Sequence, residues 1–439
     1  MLVQKFGGTS VGTPQRMHHI ARLIEEAAKP TIVVLSAVSG TTNALERIIE
    51  SFKKGDHKAA KQKADNLKTT YFPFVYQLFE NKSDQEKGAE IIERHFMEIH
   101  RLISQPYYPQ IEKVIVVQGE LISTHLFQLY MQSSGRNSIL IPAADFMYLD
   151  ENGEPNLPVI RKKLESIIYP YPADIFLTQG FICRNLSGGI DNLKRGGSDY
   201  SATLIGAALR AKETQIWTDI DGMHNNDPRI VDRTKPISDL SFEEAGELAY
   251  FGAKILHPNC IIPAQQQNVP VRIKNTMDPS AYGTLITSNQ SPQAVKAIAA
   301  KDGITAIKIK SSRMTMAYGF LRKVFEVFEY YKTPIDMITT SEIAVSLTID
   351  KNEYLNDIVK DISQYGKVEV DQHQTIICIV GDLVAEKKGV GREIFKALEN
   401  VPMRMIAYGG SRNNISILVE SSLKKEALVA LNNQLFQFN

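Results

Sequence analysis

Short runs of consecutive apolar residues alternate along the first half of the chain with segments whose apolar residues recur at helical spacing. We predict buried strands at 2–6, 31–37, 113–118, 138–142, 174–180 and 215–220. We predict helices from Pro14, over 43–52, directly after 118 and over 199–211. Strands that are apolar on both faces and separated by helices indicate a parallel sheet covered on both sides. This region is therefore predicted to be an α/β doubly wound domain.

Residues 53–111 interrupt that alternation. They are rich in Lys, Glu and Gln, and their apolar residues, such as Phe72, Val75 and Phe79, recur at helical spacing. This amphipathic pattern indicates helices with one buried stripe. We predict a small helical subdomain beside the sheet, a solvated hairpin to which we assign no function.

The pattern changes after Ser288, where 289–293 (NQSPQ) has the composition of a linker. Two similar β-α-β-β-α units follow. The first has strands at 304–310, 335–340 and 343–350, with helices at 319–332 and 354–365; the second has strands at 375–384, 403–408 and 414–420, with helices at 391–400 and 424–436. This weak internal repeat predicts a pair of small α+β modules of ferredoxin-like type.

Composition narrows the possible functions. The 439 residues are enough for two to four domains. Lys and Arg total 50 against 49 Asp and Glu, a net charge of +1, which argues against a dedicated binder of nucleic acid or anionic membranes. The three cysteines do not have metal-ligand spacing, and so few suit a reducing cytoplasm. Neither a signal peptide nor a membrane span is expected.

The first cluster with chemical potential is Lys5-Phe6-Gly7-Gly8-Thr9-Ser10. A lysine ends a strand, and two glycines let backbone amides approach an anion closely. The pattern is neither a Walker A loop nor a protein-kinase motif. Taken alone, a Gly-Gly turn after a strand can equally be a tight turn without function.

The second cluster, Lys194-Arg195-Gly196-Gly197-Ser198-Asp199, stands directly before a predicted helix. Ser198 is a suitable N-cap, and Asp199 would then lie in the first turn. Two cations and two glycines at a helix N-terminus form an anion trap, although a simply capped helix would fit the same residues.

Two further clusters follow. Thr218-Asp219 ends a predicted strand and leads to Asp227-Pro228-Arg229, and Phe251-Gly252-Ala253-Lys254 places a lysine near a helix end. Ligands of open parallel sheets bind at the carboxyl ends of the strands, which is where the first of these clusters is expected.

Together and in this order, the clusters resemble the amino-acid kinase family and, within it, the aspartokinases. The matching segments are KFGGTSV at 5–11, S-A-x-x-G-x-T-N at 36–43, GE at 119–120, RGGSD at 195–199, TD at 218–219, DPR at 227–229 and FGAK at 251–254. The resemblance covers essentially the whole chain. It implies a three-layer parallel-sheet kinase domain over 1–290, with the helical insertion at about 53–111, followed by α+β ferredoxin-like ACT modules over 295–372 and 373–439.

The resemblance also implies an activity, the transfer of the γ-phosphate of ATP to the side-chain carboxylate of L-aspartate. Lys5 and Asp199 would be catalytic, with Lys5 stabilising phosphate charge and Asp199 organising the site. The expected ATP-binding residues are Lys5, Gly7, Gly8, Thr218, Asp219, His224, Arg229 and Lys254. The expected aspartate-binding residues are Ser36, Thr42, Glu120, Arg195 and Ser198. Mg²⁺ is expected to be held mainly by ATP phosphates and water, without an assigned protein ligand.

Position 224 departs from the family pattern, because lysine-sensitive relatives often carry Tyr there beside the nucleotide. A histidine can still stack on adenine, so only that contact is in question.

The C-terminal modules suggest feedback regulation. The resemblance assigns an amino-acid effector, lysine rather than threonine, to Gly319, Phe320, Leu321, Asp336, Thr340 and Ser341. Amides at the helix N-terminus would bind a carboxylate, and Asp336 would bind an ammonium group. A homodimer or homotetramer through the ACT modules is expected.

Three alternatives stay open at this point. One is another enzyme of the same fold, such as an acetylglutamate or uridylate kinase. The second is a catalytically silent amino-acid sensor built on the kinase scaffold. The third is a purely structural oligomer, which would leave the anion-binding loops unexplained.

Overall fold

The structure is a computed structural model that describes residues 1–193, 196–252, 256–289, 293–311 and 318–436. It divides into two compact units. The first comprises Met1–Met223 with Leu256–Ser288, and the second comprises His224–Ile255 with Asn289–Asn439.

Strands and helices follow the chain in this order. The strands are β1 (Leu2–Phe6), β2 (Thr31–Leu35), β3 (Ser138–Leu140), β4 (Ile175–Gln179), β5 (Ile182–Arg184), β6 (Ile190–Asn192), β7 (Glu213–Thr218), β8 (Asp239–Ser241), β9 (Val271–Asn275), β10 (Thr284–Thr287), β11 (Ala297–Lys310), β12 (Ile338–Thr340), β13 (Ala344–Ile349), β14 (Lys367–Val380), β15 (Met405–Tyr408) and β16 (Asn414–Glu420). The helices are α1 (Pro14–Glu26), α2 (Thr41–Lys53), α3 (His57–Leu78), α4 (Lys82–Ile103), α5 (Pro109–Val116), α6 (Gln118–Ser133), α7 (Leu157–Ile168), α8 (Gly197–Leu209), α9 (Phe242–Tyr250), α10 (Pro258–Gln267), α11 (Phe320–Tyr330), α12 (Leu355–Ile362), α13 (Val390–Ala397) and α14 (Lys424–Leu435).

The first unit is built on a sheet with the strand order β3-β4-β2-β1-β7-β9-β10. Neighbouring strands are parallel except β10, which runs antiparallel to β9. All five residues of β2 are buried, as expected for a strand covered on both faces. The structure confirms the predicted α/β class.

One predicted strand of this unit is wrong. Residues 113–118 are helical, divided between α5 and α6. Pro109 is the first residue of α5, where the missing N–H costs nothing, and Ile111 and Ile115 are both buried at a spacing of four. A short apolar run does not distinguish a buried strand from a buried helix by periodicity, so KVIVVQ was misassigned.

The predicted helical insertion is present as two long helices, α3 and α4, which pack against each other. Asp56 caps α3 by accepting the Ala59 N–H, and Asn81 caps α4 by accepting the Asp84 N–H. Phe96 and Ile99 of α4 lie on its buried stripe, as their spacing predicts.

The second unit contains a six-stranded antiparallel sheet with the order β12-β13-β11-β14-β16-β15. The two predicted repeats therefore share one sheet, joined by the pairing of the long strands β11 and β14. Each repeat keeps its own core, one around Val324 and Ile358, the other around Ile394 and Leu428.

Strand β11 begins earlier than the predicted 304, at Ala297. Its pairing with β14 shifts register between Lys301 and Ile304, and Gly303 has a φ of 77°. Such a bulge breaks the period-two alternation of side chains along a strand. The sequence pattern therefore predicts only the later half of β11. The predicted linker lies partly outside the described residues, at 290–292.

Helix α9 is anchored within the second unit. Ser241 and Glu244 form a reciprocal capping box at its start. Glu244 also pairs with Lys296 at 2.5 Å, and both side chains are buried. Among the described helices, none combines the length and apolar character that crossing a membrane requires.

Candidate active site

Four parallel strands of the first unit end in register at one edge of the sheet. Phe6 of β1 lies beside Leu35 of β2 and Trp217 of β7, and Leu35 lies beside Gln179 of β4. The residues that follow these four positions leave the sheet at the same edge. They are Gly7, Ser36, Gly180 and Thr218. Three segments that the sequence singled out, at 5–11, 36–43 and 218–219, are therefore neighbours.

Lys5 and Asp199 meet at this edge. Lys5 Nζ lies 2.6 Å from Asp199 Oδ1, with 11% of the lysine side chain and 19% of the aspartate side chain exposed. Asp199 is the third residue of α8, so its carboxylate lies at the positive end of the helix dipole. Two residues separated by 194 positions in the chain thus form one charged pair, open to solvent on one side.

Gly7 and Gly8 are required for close packing around that pair. A Cβ at Gly7 would lie 3.3 Å from Lys5 Nζ, and one at Gly8 would lie 3.0 Å from the Ala37 carbonyl oxygen. The Gly7 N–H donates to the Trp217 carbonyl oxygen at 3.3 Å. The turn is therefore tied to β7, and the space beside Lys5 is kept clear for another group.

Glu120 supplies an acidic group in the same region. It lies in the first turn of α6, is 4% exposed, and accepts the Ala37 N–H. Its Oε2 has no hydrogen-bond partner among the described residues. Burial raises the pKa of Glu120 to about 7, and hydrogen bonds from the backbone N–H groups of Glu120 itself and of Ala37 offset only part of this effect. A buried carboxylate with one unpartnered oxygen is suited to a cationic ligand.

The loop from β2 to α2 packs against the start of α6. A Cβ on Gly119 would lie 3.0 Å from the Ala37 side chain and 3.2 Å from that of Thr41. Ser36 opens this loop and donates its N–H to the Phe6 carbonyl oxygen at 3.2 Å, and Thr42 is the second residue of α2. Both predicted substrate hydroxyls therefore belong to the segment that Glu120 holds.

Ser198 is the buried second residue of α8 and not its N-cap, so the predicted N-cap is wrong. The N-cap position is Gly196, with a φ of 78°, and the helix begins at Gly197. A Cβ on Gly180 would lie 2.3 Å from Ser198 Oγ, so only glycine fits there. The left-handed conformation of Gly196 replaces the serine cap, and this frees Ser198 for contact with the strand end.

The predicted regulatory residues lie in the second unit. Gly319 has a φ of 81° and is the N-cap of α11, Leu321 is exposed, and Phe320 packs into the core. Thr340 and Ser341 are exposed at the end of β12. Asp336 differs, because its side chain is fully buried.

Asp336 already binds an ammonium group of the chain itself. Its Oδ1 accepts from Lys301 Nζ and from the Tyr250 hydroxyl, each at 2.7 Å. Lys301 also pairs with Asp350 at 2.9 Å and lies over the Tyr250 ring, 4.6 Å from its centroid. An effector ammonium at Asp336 would share or replace this internal lysine.

Comparisons with known proteins identify the family of the chain. The amino acid kinase family model matches residues 1–275, and an ACT domain model matches 377–435. The lysine-sensitive aspartokinase 3 of Escherichia coli K12 is 30% identical over 100% of this chain and 99% of its own length. The chain belongs to the aspartokinase family.

Two further similarities support this assignment of the aspartokinase family. Chloroplastic aspartokinase 3 of Arabidopsis thaliana is 33% identical over 99% of this chain and 81% of its own length. The crystal structure of E. coli aspartokinase III with aspartate and ADP covers 100% of both chains with a TM-score of 0.85 and 30% identity.

The structure does not test the predicted roles of four site residues of this aspartokinase. Arg195 and Lys254 lie outside the described residues. His224 and Arg229 belong to the second unit, where His224 Nδ1 lies 2.8 Å from Thr234 Oγ1. The Arg229 guanidinium, 75% exposed, donates to both carboxylate oxygens of Asp227. Their roles stay predictions.

Thr218 and Asp219 do lie at the sheet edge. The Thr218 hydroxyl donates to Asp219 Oδ1 at 3.2 Å, and the Thr218 carbonyl oxygen accepts the Thr276 N–H at 2.7 Å. Asp219 is exposed. These two residues are available to a ligand at the carboxyl end of β7.

Sequence reasoning missed several residues of this aspartokinase that shape the two sites. They are Gly180, Thr41, Tyr71, Tyr250 and Lys301. Only Gly180 had a usable signal, a glycine directly after a buried strand. The others act through contacts between segments distant in the chain, which spacing does not show.

Proposed function

We propose that this aspartokinase transfers the γ-phosphoryl group of ATP to the side-chain carboxylate of L-aspartate, giving 4-phospho-L-aspartate. The observation that carries the proposal is the conjunction at one sheet edge of a cation–carboxylate pair, Lys5–Asp199, and a buried carboxylate, Glu120, one of whose oxygens has no hydrogen-bond partner among the described residues. The pair suits phosphate, and Glu120 suits the ammonium group of an amino acid.

The chemistry follows from the charge of the acceptor. A carboxylate is already ionised at neutral pH, so the reaction needs no strong base. One carboxylate oxygen of aspartate forms a bond to the γ-phosphorus, the bond from that phosphorus to the β,γ-bridging oxygen breaks, and ADP leaves with the electron pair. Catalysis therefore depends on positioning anions and on positive charge.

Lys5 is proposed to stabilise the charge on the transferred group. Asp199 holds the Lys5 ammonium at 2.6 Å and so fixes where that charge lies. Because the Gly7 N–H donates to Trp217, we assign the phosphate-facing amide to Gly8. One such donor in a dry site contributes about 3 kcal/mol to transition-state binding. Bound Mg²⁺ would neutralise phosphate charge, held by ATP and water.

Aspartate is proposed to bind through three kinds of contact. Glu120 accepts from its ammonium group, Ser36 and Thr42 donate hydroxyls, and Arg195 binds the α-carboxylate in a bidentate manner. Ser198, in the first turn of α8 and packed against Gly180, is proposed to contact the substrate as well. We propose that Thr218, Asp219, His224, Arg229 and Lys254 bind the nucleotide.

Regulation by lysine is proposed for the second unit. The E. coli relative is described as lysine-sensitive, and its crystal structure with lysine and aspartate, the T state, matches this chain with a TM-score of 0.81 and 30% identity. The proposed contacts are the amides at Gly319–Leu321, Asp336, Thr340 and Ser341. Assembly as a homodimer or homotetramer through the ACT modules, in the cytoplasm, belongs to the same proposal.

The decisive experiment is ADP release by the purified chain with ATP and Mg²⁺. Aspartate should support turnover, whereas N-acetylglutamate and UMP should not. Turnover with one of the latter instead would favour another enzyme of the fold, and binding of aspartate without ADP release would favour the silent sensor. Lysine, threonine and methionine are then added separately, and inhibition by lysine is expected.

Two matched variants test whether turnover depends on Lys5. Lys5→Met should lower kcat by a factor of about 100 to 1,000, as expected for loss of one charge-stabilising donor. Lys58→Met, on the exposed surface of α3, should not change it. Equal activity of the two variants would remove Lys5 from the mechanism.

A further inference from the structure

The helical insertion lies against the part of the kinase unit that is proposed to bind the amino acid. Helix α3 packs on α2, and α4 packs on α6. The first residues of α2 include Thr42, and the first turn of α6 includes Glu120. The insertion therefore contacts both helices whose N-termini carry proposed substrate contacts.

The contact between α3 and α2 includes a buried hydrogen bond. The Tyr71 hydroxyl lies 2.6 Å from Thr41 Oγ1, and both side chains are buried. Thr41 is the first residue of α2, and its hydroxyl binds Tyr71 rather than capping its own helix. Because burial and the nearby Glu120 raise the pKa of Tyr71, the phenol stays neutral. Tyr71 thus fixes the end of the loop that begins at Ser36.

The contact between α4 and α6 is polar as well. His95 Nδ1 lies 2.7 Å from Gln118 Oε1, and His95 Nε2 lies 2.8 Å from His125 Nδ1. An amide oxygen only accepts, so His95 donates from Nδ1 and accepts the His125 proton at Nε2. Gln118 also donates to the Val114 carbonyl oxygen at 3.1 Å. Gln118 is two residues before Glu120, so α4 fixes the start of α6.

The two helix ends fixed in this way meet each other. Gly119 packs on Ala37 and Thr41, and Glu120 accepts the Ala37 N–H. A shift of either helix end would move the Glu120 carboxylate relative to Ser36 and Thr42. The distance between the Glu120 carboxylate and the Ser36 and Thr42 hydroxyls therefore depends on how α3 and α4 hold these helix ends.

We propose that Tyr71 is a positioning residue for the amino-acid substrate, and that the helical insertion acts through the Tyr71–Thr41 hydrogen bond to set the geometry of the Ser36–Thr42 loop. The inference rests on the proposed aspartate site. It gives a role to the helical insertion, for which the sequence pattern predicts no function. Nucleotide contacts at Lys5 and Thr218 lie on other elements, so the effect is confined to the amino acid.

The experiment is a double-mutant cycle read as separate kinetic constants. Tyr71→Phe and Thr41→Val should each raise KM for aspartate about five- to tenfold, the factor for one lost buried hydrogen bond, with kcat and KM for ATP within about twofold of wild type. The double variant should be no worse than either single variant, because the same bond is already absent. Thr41→Ser keeps the hydroxyl and should restore wild-type KM.

The matched control is Tyr76→Phe, which removes a hydroxyl from an exposed position of the same helix and should change nothing. Additive effects in the cycle, equal changes in both KM values, or no change in KM for aspartate would each overturn the inference. Aspartate binding by calorimetry gives the same comparison without turnover. Failure of the proposed function would instead show as absent turnover in the wild-type chain.

Discussion

Two buried carboxylates were expected to bind ammonium groups, and the structure treats them differently. Each carboxylate has one buried oxygen without a hydrogen-bond partner among the described residues, Glu120 Oε2 and Asp336 Oδ2. Glu120 otherwise accepts only backbone N–H groups, its own and that of Ala37. Asp336 instead accepts from the Lys301 ammonium group and from the Tyr250 hydroxyl through Oδ1. The difference between them is therefore the counter-charge, which the chain supplies to Asp336 and not to Glu120.

The difference has an energetic meaning. A carboxylate buried without a counter-charge is costly, and the cost appears as the raised pKa of Glu120. Binding of a substrate ammonium would remove that cost, so ligand and site stabilise each other. At Asp336 the cost is already offset by Lys301, so an effector must compete with an existing pair. The proposed substrate-binding and effector-binding carboxylates thus differ in whether the chain itself supplies a cationic partner.

The largest effect is expected from removing the internal partner. Lys301→Met leaves Asp336 buried beside only the Tyr250 hydroxyl, and Lys301 is itself only 17% exposed. Breaking such a pair from one side should lower the free energy of unfolding by about 3 kcal/mol, because an uncompensated charge remains. Denaturant unfolding of the full chain measures this.

Two further variants make that measurement decisive. Lys310→Met breaks an exposed pair with Glu369 and should cost less than about 1 kcal/mol. Adding Asp336→Asn to Lys301→Met should recover part of the loss, because the buried charge is then gone. Equal destabilisation by Lys301→Met and Lys310→Met would show that Lys301 does not neutralise Asp336.

A smaller effect is expected from neutralising the open carboxylate. Glu120→Gln keeps the shape and can still accept the Ala37 N–H, but it loses the charge that attracts an ammonium group. KM for aspartate should rise by a factor of about 30, corresponding to about 2 kcal/mol for a charge-assisted hydrogen bond. Initial rates at varied aspartate and saturating ATP give this value.

The effect of Glu120→Gln on thermal stability is expected to be opposite to its effect on aspartate binding. The native pKa of Glu120 is raised above the value of an exposed glutamate, so ionisation at pH 8 destabilises the folded state. The glutamine variant should therefore unfold at the same or a higher temperature than wild type at pH 8. A lower Tm together with a higher KM would indicate a damaged fold instead of a lost contact.

The change in kcat/KM for aspartate over one pH unit is expected to be smaller than the change in KM caused by Glu120→Gln. Burial raises the pKa of Glu120 to about 7, and only the ionised form binds an ammonium group. Below pH 7, kcat/KM for aspartate should fall about tenfold per unit, and above pH 7 it should level off. Glu120→Gln should lack this limb; its persistence in that variant would assign the titration to another group.

The sequence predicted the parts of the molecule that depend on local pattern. Apolar runs located β1, β2 and β4, and the Gly7-Gly8 pair located the turn that follows β1. The register of parallel strands brings the segments at Gly7, Ser36 and Thr218 to one edge. Asp199 lies on α8 and not on a strand, and it is the resemblance to the aspartokinases that predicts its place beside Lys5. Their 2.6 Å contact agrees with that expectation.

Tertiary contacts explain what the sequence did not predict. Residues 113–118 are helical because α5 buries Ile111 and Ile115 on one face, which a six-residue apolar run cannot reveal. The Asp336 environment depends on Lys301, which lies 35 residues earlier, on β11. A carboxylate that binds a ligand and one that pairs within the chain can be the same residue type in a sequence motif. Only the contacts around each carboxylate in the folded chain distinguish them.

The smallest expected effect concerns the tyrosine that shares Asp336 with Lys301. Tyr250→Phe removes one neutral donor from Asp336 Oδ1 but leaves the lysine pair and the ring beneath its ammonium group intact. The free energy of unfolding should fall by about 1 kcal/mol, a third of the loss from Lys301→Met. Tyr330→Phe, on the exposed face of α11, is the matched control and should have no effect.

Because Tyr250 is the last residue of α9 and directly precedes the FGAK segment, its loss should also change the concentration of lysine that half-inhibits turnover. A variant that is destabilised but inhibited at the wild-type lysine concentration would restrict Tyr250 to stability, and would leave Lys301 as the residue that distinguishes Asp336 from Glu120.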